Sequence, residues 1–480
     1  IRYNIISIKL LRETMEHKHG KDLTEGSIPR NLLMFAMPML ISNFLMTGYS
    51  IINTVWLGNI VGELAVGAVA ISFPIVFILI AVAGGLGMSA TILVSQNYGA
   101  KNYPMINKVM NNAFMVSVVA GVVCTGLCML FSHYIISAMN TPAQIFPLAV
   151  GYLNIFLLGM FFLFPTFIII SALRGIGDTV TPLIFLLISI FINAILDPLL
   201  IIGIAPFPKL GLNGAAVASV VSQLITTIAG LIYINKKFPL LKLDYHKFRP
   251  DFKIIGLIFK IGVPTIVQQS LISIGMIFVT AYVNFFGEKA IAAFGAVGRV
   301  ESIAILPAMS ISMAVSTLTG QAIGAGKHHK IKEVFKWGIV LNCSIIVSLS
   351  LLAVLFPRII LNAFVHDPEV LRIGANYFHI VASCYVFFAV LFVVNGIING
   401  SGNTLITMFV SLITLWLIRV PLGYYLSQKT ALGINGVWIA ISLSFFTAMV
   451  VSLAYYYSGL WKKDTVLKHV APAIEIEPIE

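Results

Sequence analysis

The sequence predicts an all-α integral membrane protein, with twelve transmembrane helices in two six-helix bundles related by a parallel internal repeat. Three observations predict it. Apolar residues make up 59% of the 480 positions and charged residues only 10%, against about 25% charged in a typical soluble domain. Such a chain cannot dress a water-facing surface, so the bilayer is its solvent. The apolar residues gather into long runs without strand alternation, which excludes a membrane barrel and leaves helices. The chain also repeats itself. Gly62-Glu63 returns as Gly287-Glu288, Gln96 as Gln321, Gly99-Ala100 as Gly324-Ala325, and Gly175, Gly177 and Thr179 as Gly400, Gly402 and Thr404, all 225 positions on. Pro38 returns as Pro264 at 226, and Gly211-Leu212-Asn213-Gly214 as Gly433-Ile434-Asn435-Gly436 at 222.

A span needs roughly 20 apolar residues to cross about 30 Å of hydrocarbon. Twelve stretches qualify: 32–57, 64–94, 112–132, 147–173, 181–203, 213–235, 257–283, 290–320, 334–356, 371–398, 404–426 and 433–459. The organisation expected from them is an N-terminal segment (1–31), a first bundle (32–235), a basic linker holding Pro239 and Pro250 (236–256), a second bundle (257–460) and a tail (461–480). Six spans per half return the chain to its starting side, so both halves insert the same way up, an arrangement transporters use to hold a substrate between two bundles. Within 1–20, Ile5, Ile8, Leu11 and Met15 alternate with Lys9, Arg12 and Lys18. That pattern fits a helix lying on the membrane or an unstructured lead. The acidic tail 465–480 is expected to be loose.

The net charge of +12 does not point to nucleic acid, because of where it falls. Most Lys and Arg residues lie in the N-terminal segment, the even-numbered loops and the tail, most densely at Lys236, Lys237, Lys242, Lys247, Arg249, Lys253 and Lys260. That is the positive-inside bias, and it predicts a multi-pass cell-membrane protein with both termini cytoplasmic. The four cysteines, Cys124, Cys128, Cys343 and Cys384, lie in spans at no metal or redox spacing. No metal and no cofactor is expected, and no nucleophile or metal constellation suggests an enzyme. The Gly-x-Gly pairs at 175–177 and 400–402 lack a Walker lysine and a preceding strand. They read as tight turns, with Asp178 or Thr179 capping the next helix. Gly84, Gly85 and Gly87 in the second span mark close helix packing, a bend, or both.

Asp197 is the strongest candidate for chemistry, the lone acid deep in the apolar fifth span. A charge placed there costs at least about 2.5–3.5 kcal/mol on insertion scales, so it calls for a function or a partner. Asn193 lies one turn earlier on the same face. Asn154 in the fourth span and Ser219 and Gln223 in the sixth are either members of that site or interhelical hydrogen-bonding groups. Arg419, at the repeat equivalent of Asp197 within one position, needs a counter-charge, water, or an anionic or lipid group, unless it snorkels to the interface. Arg299 and Glu301 read as membrane-edge charges or gate residues. Tyr49 and Met46 offer an aromatic face and an adaptable thioether to a cavity wall.

An ordered set of motifs carries a family resemblance. Leu-Thr-Glu-Gly-Ser-Ile-Pro at 23–29, Gln-Asn-Tyr-Gly-Ala-Lys at 96–101, Ala-Leu-Arg-Gly-Ile-Gly-Asp at 172–178, Gly-Leu-Asn-Gly-Ala-Ala at 211–216 and Gly-Gln-Ala-Ile-Gly-Ala at 320–325 together resemble the multidrug and toxic compound extrusion (MATE) family, from about residue 23 to residue 463. The resemblance implies an antiporter, working as a monomer in membrane lipid, that expels organic cations and other small amphipathic compounds in exchange for protons or sodium ions. The Asn193-x-x-x-Asp197-Pro198 arrangement resembles the DinF-like branch, whose first half holds the cation or proton site. In the family the first helix usually carries an acid in a Val-Asp-Thr-Ile-like stretch; here it reads Ile52-Asn53-Thr54-Val55, so Asn53 offers hydrogen bonds but no titration. The NorM-like branch has a glutamate where Gln268 and Gln269 stand, and no acid lies between Tyr385 and Val394, which favours proton coupling through the first half. Gln268, Gln269, Gln223, Tyr49, Met46, Asn53 and Arg419 are the expected substrate contacts. The alternative is a lipid-linked oligosaccharide flippase of the same superfamily, which would need a more basic cavity.

Overall fold

The computed structural model describes residues 20–243 and 249–462; the surface helix expected near the N-terminus and the loose tail rest on residues outside this range. Among the described residues, twelve helices are long and apolar enough to cross a membrane. They are α1 (Ile28–Ile60), α2 (Glu63–Gly99), α3 (Tyr103–Ala138), α4 (Phe146–Gly175), α5 (Val180–Gly203), α6 (Leu212–Lys237), α7 (Phe252–Asn284), α8 (Glu288–Gly324), α9 (His328–Leu355), α10 (Pro368–Gly400), α11 (Thr404–Gln428) and α12 (Ile434–Ser458). The protein is a multi-pass, all-helical membrane protein. Phe73, Ile78, Leu130 and Phe191 are each more than half exposed, a surface suited to acyl chains rather than water.

Several helices outrun the apolar stretches that announced them, because a helix ends at a cap or turn rather than where hydropathy falls. α2 carries the buried Gln96 and Asn97 in its last turn and stops before Lys101, whose φ is 57°. α7 takes up residues read as linker: Asp251 caps its start, its Oδ1 accepting from the amides of Lys253 (3.0 Å) and Ile254 (3.4 Å). Asp178, rather than Thr179, caps α5, accepting from the Val180 and Thr181 amides at 3.0 Å each. Gly177, at φ 90°, supplies the turn before it.

The chain divides into two compact units, one of Ile1–Asp22 with Ile41–Val263, the other of Leu23–Leu40 with Pro264–Glu480. The two divisions inside helices fall beside Pro38 and at Pro264, the repeat-related prolines of α1 and α7. A proline inside a helix removes one backbone donor and loosens the ladder there. The early turns of α1 accordingly belong to the core of the second unit, where Leu23, Ile28, Leu32 and Phe35 pack with Ile311, Val315, Leu318 and Trp461. The early turns of α7 belong to the first unit, where a Cβ on Gly262 would lie 3.2 Å from the Gly85 carbonyl oxygen. Gly87 likewise abuts Ser171, so two of the three α2 glycines serve close packing.

The repeat-related helices α5 and α11 each hold a π-helical stretch, at different places in the repeat. After Pro198, α5 ends in a π-helical turn, Leu199–Gly203; in α11 the stretch Leu412–Arg419 is π-helical. Such wide turns leave backbone groups loosely paired and often mark functional places.

Candidate functional site

In the first unit, the Asp197 carboxylate gathers the candidate residues of two helices. α5 presents Asn193 and Asp197 one turn apart, both buried. α1 presents Tyr49 and Asn53, also one turn apart and partly buried. The Tyr49 hydroxyl donates to Asp197 Oδ2 at 3.2 Å, and the Asn53 amide donates to the Tyr49 hydroxyl at 2.9 Å and to Asp197 Oδ2 at 3.3 Å. The two bonds to the acid both meet at Oδ2. Among the described residues, Asp197 Oδ1 is buried without a hydrogen-bond partner, as are Asn193 Oδ1 and Asn154 Oδ1. A buried acceptor left unpaired costs about 1–3 kcal/mol, so these oxygens favour a proton or a cationic ligand. Ser219 on α6 accepts from the Asn193 amide at 3.4 Å and donates to the Ala215 carbonyl at 3.0 Å.

Among the described residues, the other sequence candidates make no hydrogen bond to this cluster. Met46 is 56% exposed. The Gln223 and Gln269 side chains make no hydrogen bond among the described residues. In the second unit, Gln268 spends its amide donor on the Thr407 carbonyl (3.0 Å) and Ser411 Oγ (2.8 Å), tying α7 to α11. Arg419 donates from Nε to Ser444 Oγ at 2.8 Å.

Two residues carry more than the sequence reading gave them. Tyr152 on α4 is buried, within electrostatic range of Asp197, and stacks on Phe156 at 5.6 Å; the signal for it was a phenol two residues before Asn154 in an apolar span. Glu301 is expected from the sequence at a membrane edge or at a gate. It lies more than three turns inside α8, and its Oε2 accepts from the Tyr377 hydroxyl at 3.1 Å. Arg299, two residues earlier, is exposed, with its guanidinium 5.9 Å from the Phe364 ring centre.

The MatE family matches residues 38–199 and again 264–425, one match to each half. The chain belongs to the MatE family. The MATE assignment covers the Asp197 cluster and Arg419 alike. The chain is similar to the probable multidrug resistance protein YoeA of Bacillus subtilis, at 32% identity over 93% of this chain and 96% of that protein. It is also similar to the probable multidrug resistance protein NorM of Thermotoga maritima, at 28% identity over 92% and 94%. The fold is that of a solved MOP superfamily transporter from Pyrococcus furiosus, with a TM-score of 0.85 at 22% identity, covering 92% of this chain and 98% of that one. MATE proteins are membrane transporters.

Proposed function

We propose that this MATE chain is a secondary antiporter that exports organic cations and other small amphipathic drugs or toxins in exchange for protons by alternating access, with both termini cytoplasmic. The observation that carries the reading is the Asp197 carboxylate, held through Oδ2 by Tyr49 and Asn53 and, among the described residues, without a hydrogen-bond partner at Oδ1. A buried carboxylate with one free oxygen accepts either a proton or a cationic substrate, and competition between the two couples their movements in opposite directions. Tyr49 and Tyr152 add aromatic faces suited to organic cations. The relatives named for multidrug resistance support the substrate class.

The placement of this acid in the first half agrees with the DinF-like pattern. Protons rather than sodium ions are favoured because the second half offers no acid at the NorM-like positions, with Gln268 and Gln269 in α7 and no acid between Tyr385 and Val394. Ethidium efflux from energised cells tests the function. Efflux that stops with an uncoupler at fixed sodium supports proton coupling; efflux sustained by a sodium gradient alone at constant pH contradicts it.

A further inference from the structure

The second unit holds charged groups that the Asp197 reading does not use. Arg419 on α11 lies 222 positions after Asp197, at the matching place in the repeat, with the opposite charge. Its Nε donates to the buried Ser444, and its guanidinium carbon lies 4.8 Å from the Phe445 ring centre. These contacts fix the guanidinium plane while using one N–H of its five. Among the described residues, no carboxylate comes within 4.0 Å of it.

Glu301 on α8 is near enough for its charge to act on Arg419, yet it is occupied by Tyr377. The cavity beside it, lined by Glu301, Ala304, Ile305, Ile346, Tyr385 and Phe388, has about 10 Å³ of free room, the size of a single water. The acid end is therefore closed to a ligand, while the arginine fork is unfilled. Beside Arg419 the surroundings are aromatic: Phe445 meets Phe388 edge-on at 5.1 Å, and Phe388 packs on Phe392 at 4.4 Å.

We propose that Arg419 anchors a second ligand site, within the second unit, that takes the carboxylate of an aromatic amphiphile. Glu301 offsets the cost of keeping a guanidinium inside the bilayer without occupying its donors. A carboxylate completes the fork with two parallel N–H···O bonds, and the ligand's ring extends the Phe445, Phe388 and Phe392 set. This site belongs to the other unit from the Asp197 cluster, for which a cation is proposed, so probes of opposite charge separate the two.

The test uses the full chain in nanodiscs of zwitterionic lipid, titrated with 1-pyrenebutyrate and 1-pyrenemethylammonium, which share a ring and differ in charge. Wild type is expected to bind both, neither displacing the other. Arg419→Gln is expected to lower the affinity for pyrenebutyrate, relative to pyrenemethylammonium, by about tenfold or more, and Arg419→Lys by less, because it keeps the charge and loses the fork. Wild-type protein that fails to bind pyrenebutyrate, displacement of one probe by the other, or an unchanged affinity ratio in folded Arg419→Gln overturns the proposal. The wild-type arms stand even if that variant does not assemble. Nanodiscs containing phosphatidylglycerol separate a solute from a headgroup: pyrenebutyrate binding that survives supports a solute site, and displacement assigns Arg419 to lipid and overturns it. Failure of pyrenemethylammonium alone counts against the Asp197 reading, with pyrenebutyrate binding still supporting this one.

Discussion

The Tyr49 hydroxyl and the Asp197 carboxylate, 148 residues apart in sequence, are joined by a 3.2 Å hydrogen bond. That bond links α1 to α5 and holds the acid by a single oxygen. Asn53 reaches both partners, so each of the three side chains sets the geometry of the other two.

Tyr49→Phe removes the central hydroxyl and leaves the Asn53 amide alone on Asp197 Oδ2. The expected cost in stability is small, about 0.6–2 kcal/mol for one interhelical bond in a membrane bundle. Transport is expected to suffer more, with turnover falling severalfold, because the acid loses its fixed orientation. Parallel thermal melts and initial efflux rates check this; a variant that melts lower but transports at the wild-type rate would give Tyr49 a purely structural role.

Asn53→Asp places an ionisable group where this chain carries a neutral amide. Only an ionisable group changes charge with pH, so the variant is expected to raise turnover or steepen its dependence on pH. Some loss of stability accompanies it, since a second acid enters an apolar helix beside the first. Transport measured against pH for both forms, per amount of folded protein, decides it: superimposable profiles would remove position 53 from coupling.

Close helix approach makes a separate prediction. A Cβ on Gly214 would sit 2.6 Å from the Leu200 carbonyl oxygen, and one on Gly436 would sit 2.5 Å from that of Leu426. Either glycine changed to alanine forces backbone apart and is expected to cost about 1–3 kcal/mol. Gly84 has nothing within 4 Å of the same point, so Gly84→Ala is expected to leave the melting temperature almost unchanged. Equal shifts for all three would show that these contacts do not limit stability.

The membrane architecture was legible because composition, span length and repeat act over many residues and agree. Asp197 was legible for the same reason: one acid stands out in a long apolar run. What pairs with it was harder to read. Tyr49 and Asn53 reach it across helices far apart in sequence, and spacing within one helix carries no information about which face meets which neighbour. Gln268 was an expected substrate contact, yet two acceptors on α11 take its donor. Glu301, expected at a membrane edge or at a gate, was not legible as the partner of Tyr377, because hydropathy locates a helix's apolar middle poorly when polar residues are satisfied inside the bundle. The end of α1 that belongs to the second unit was invisible for a related reason: a proline marks where a helix is loosened, not which core each side of it joins.

The most direct test is substrate uptake driven by an imposed pH gradient, using purified protein in sodium-free proteoliposomes, with Asp197→Asn beside wild type. The substitution keeps the shape and the Tyr49 and Asn53 contacts while removing the group that exchanges a proton. Wild type is expected to accumulate ethidium against its gradient, and Asp197→Asn, inserted and melting normally, is expected to lose that accumulation. Undiminished accumulation by the variant would contradict the account.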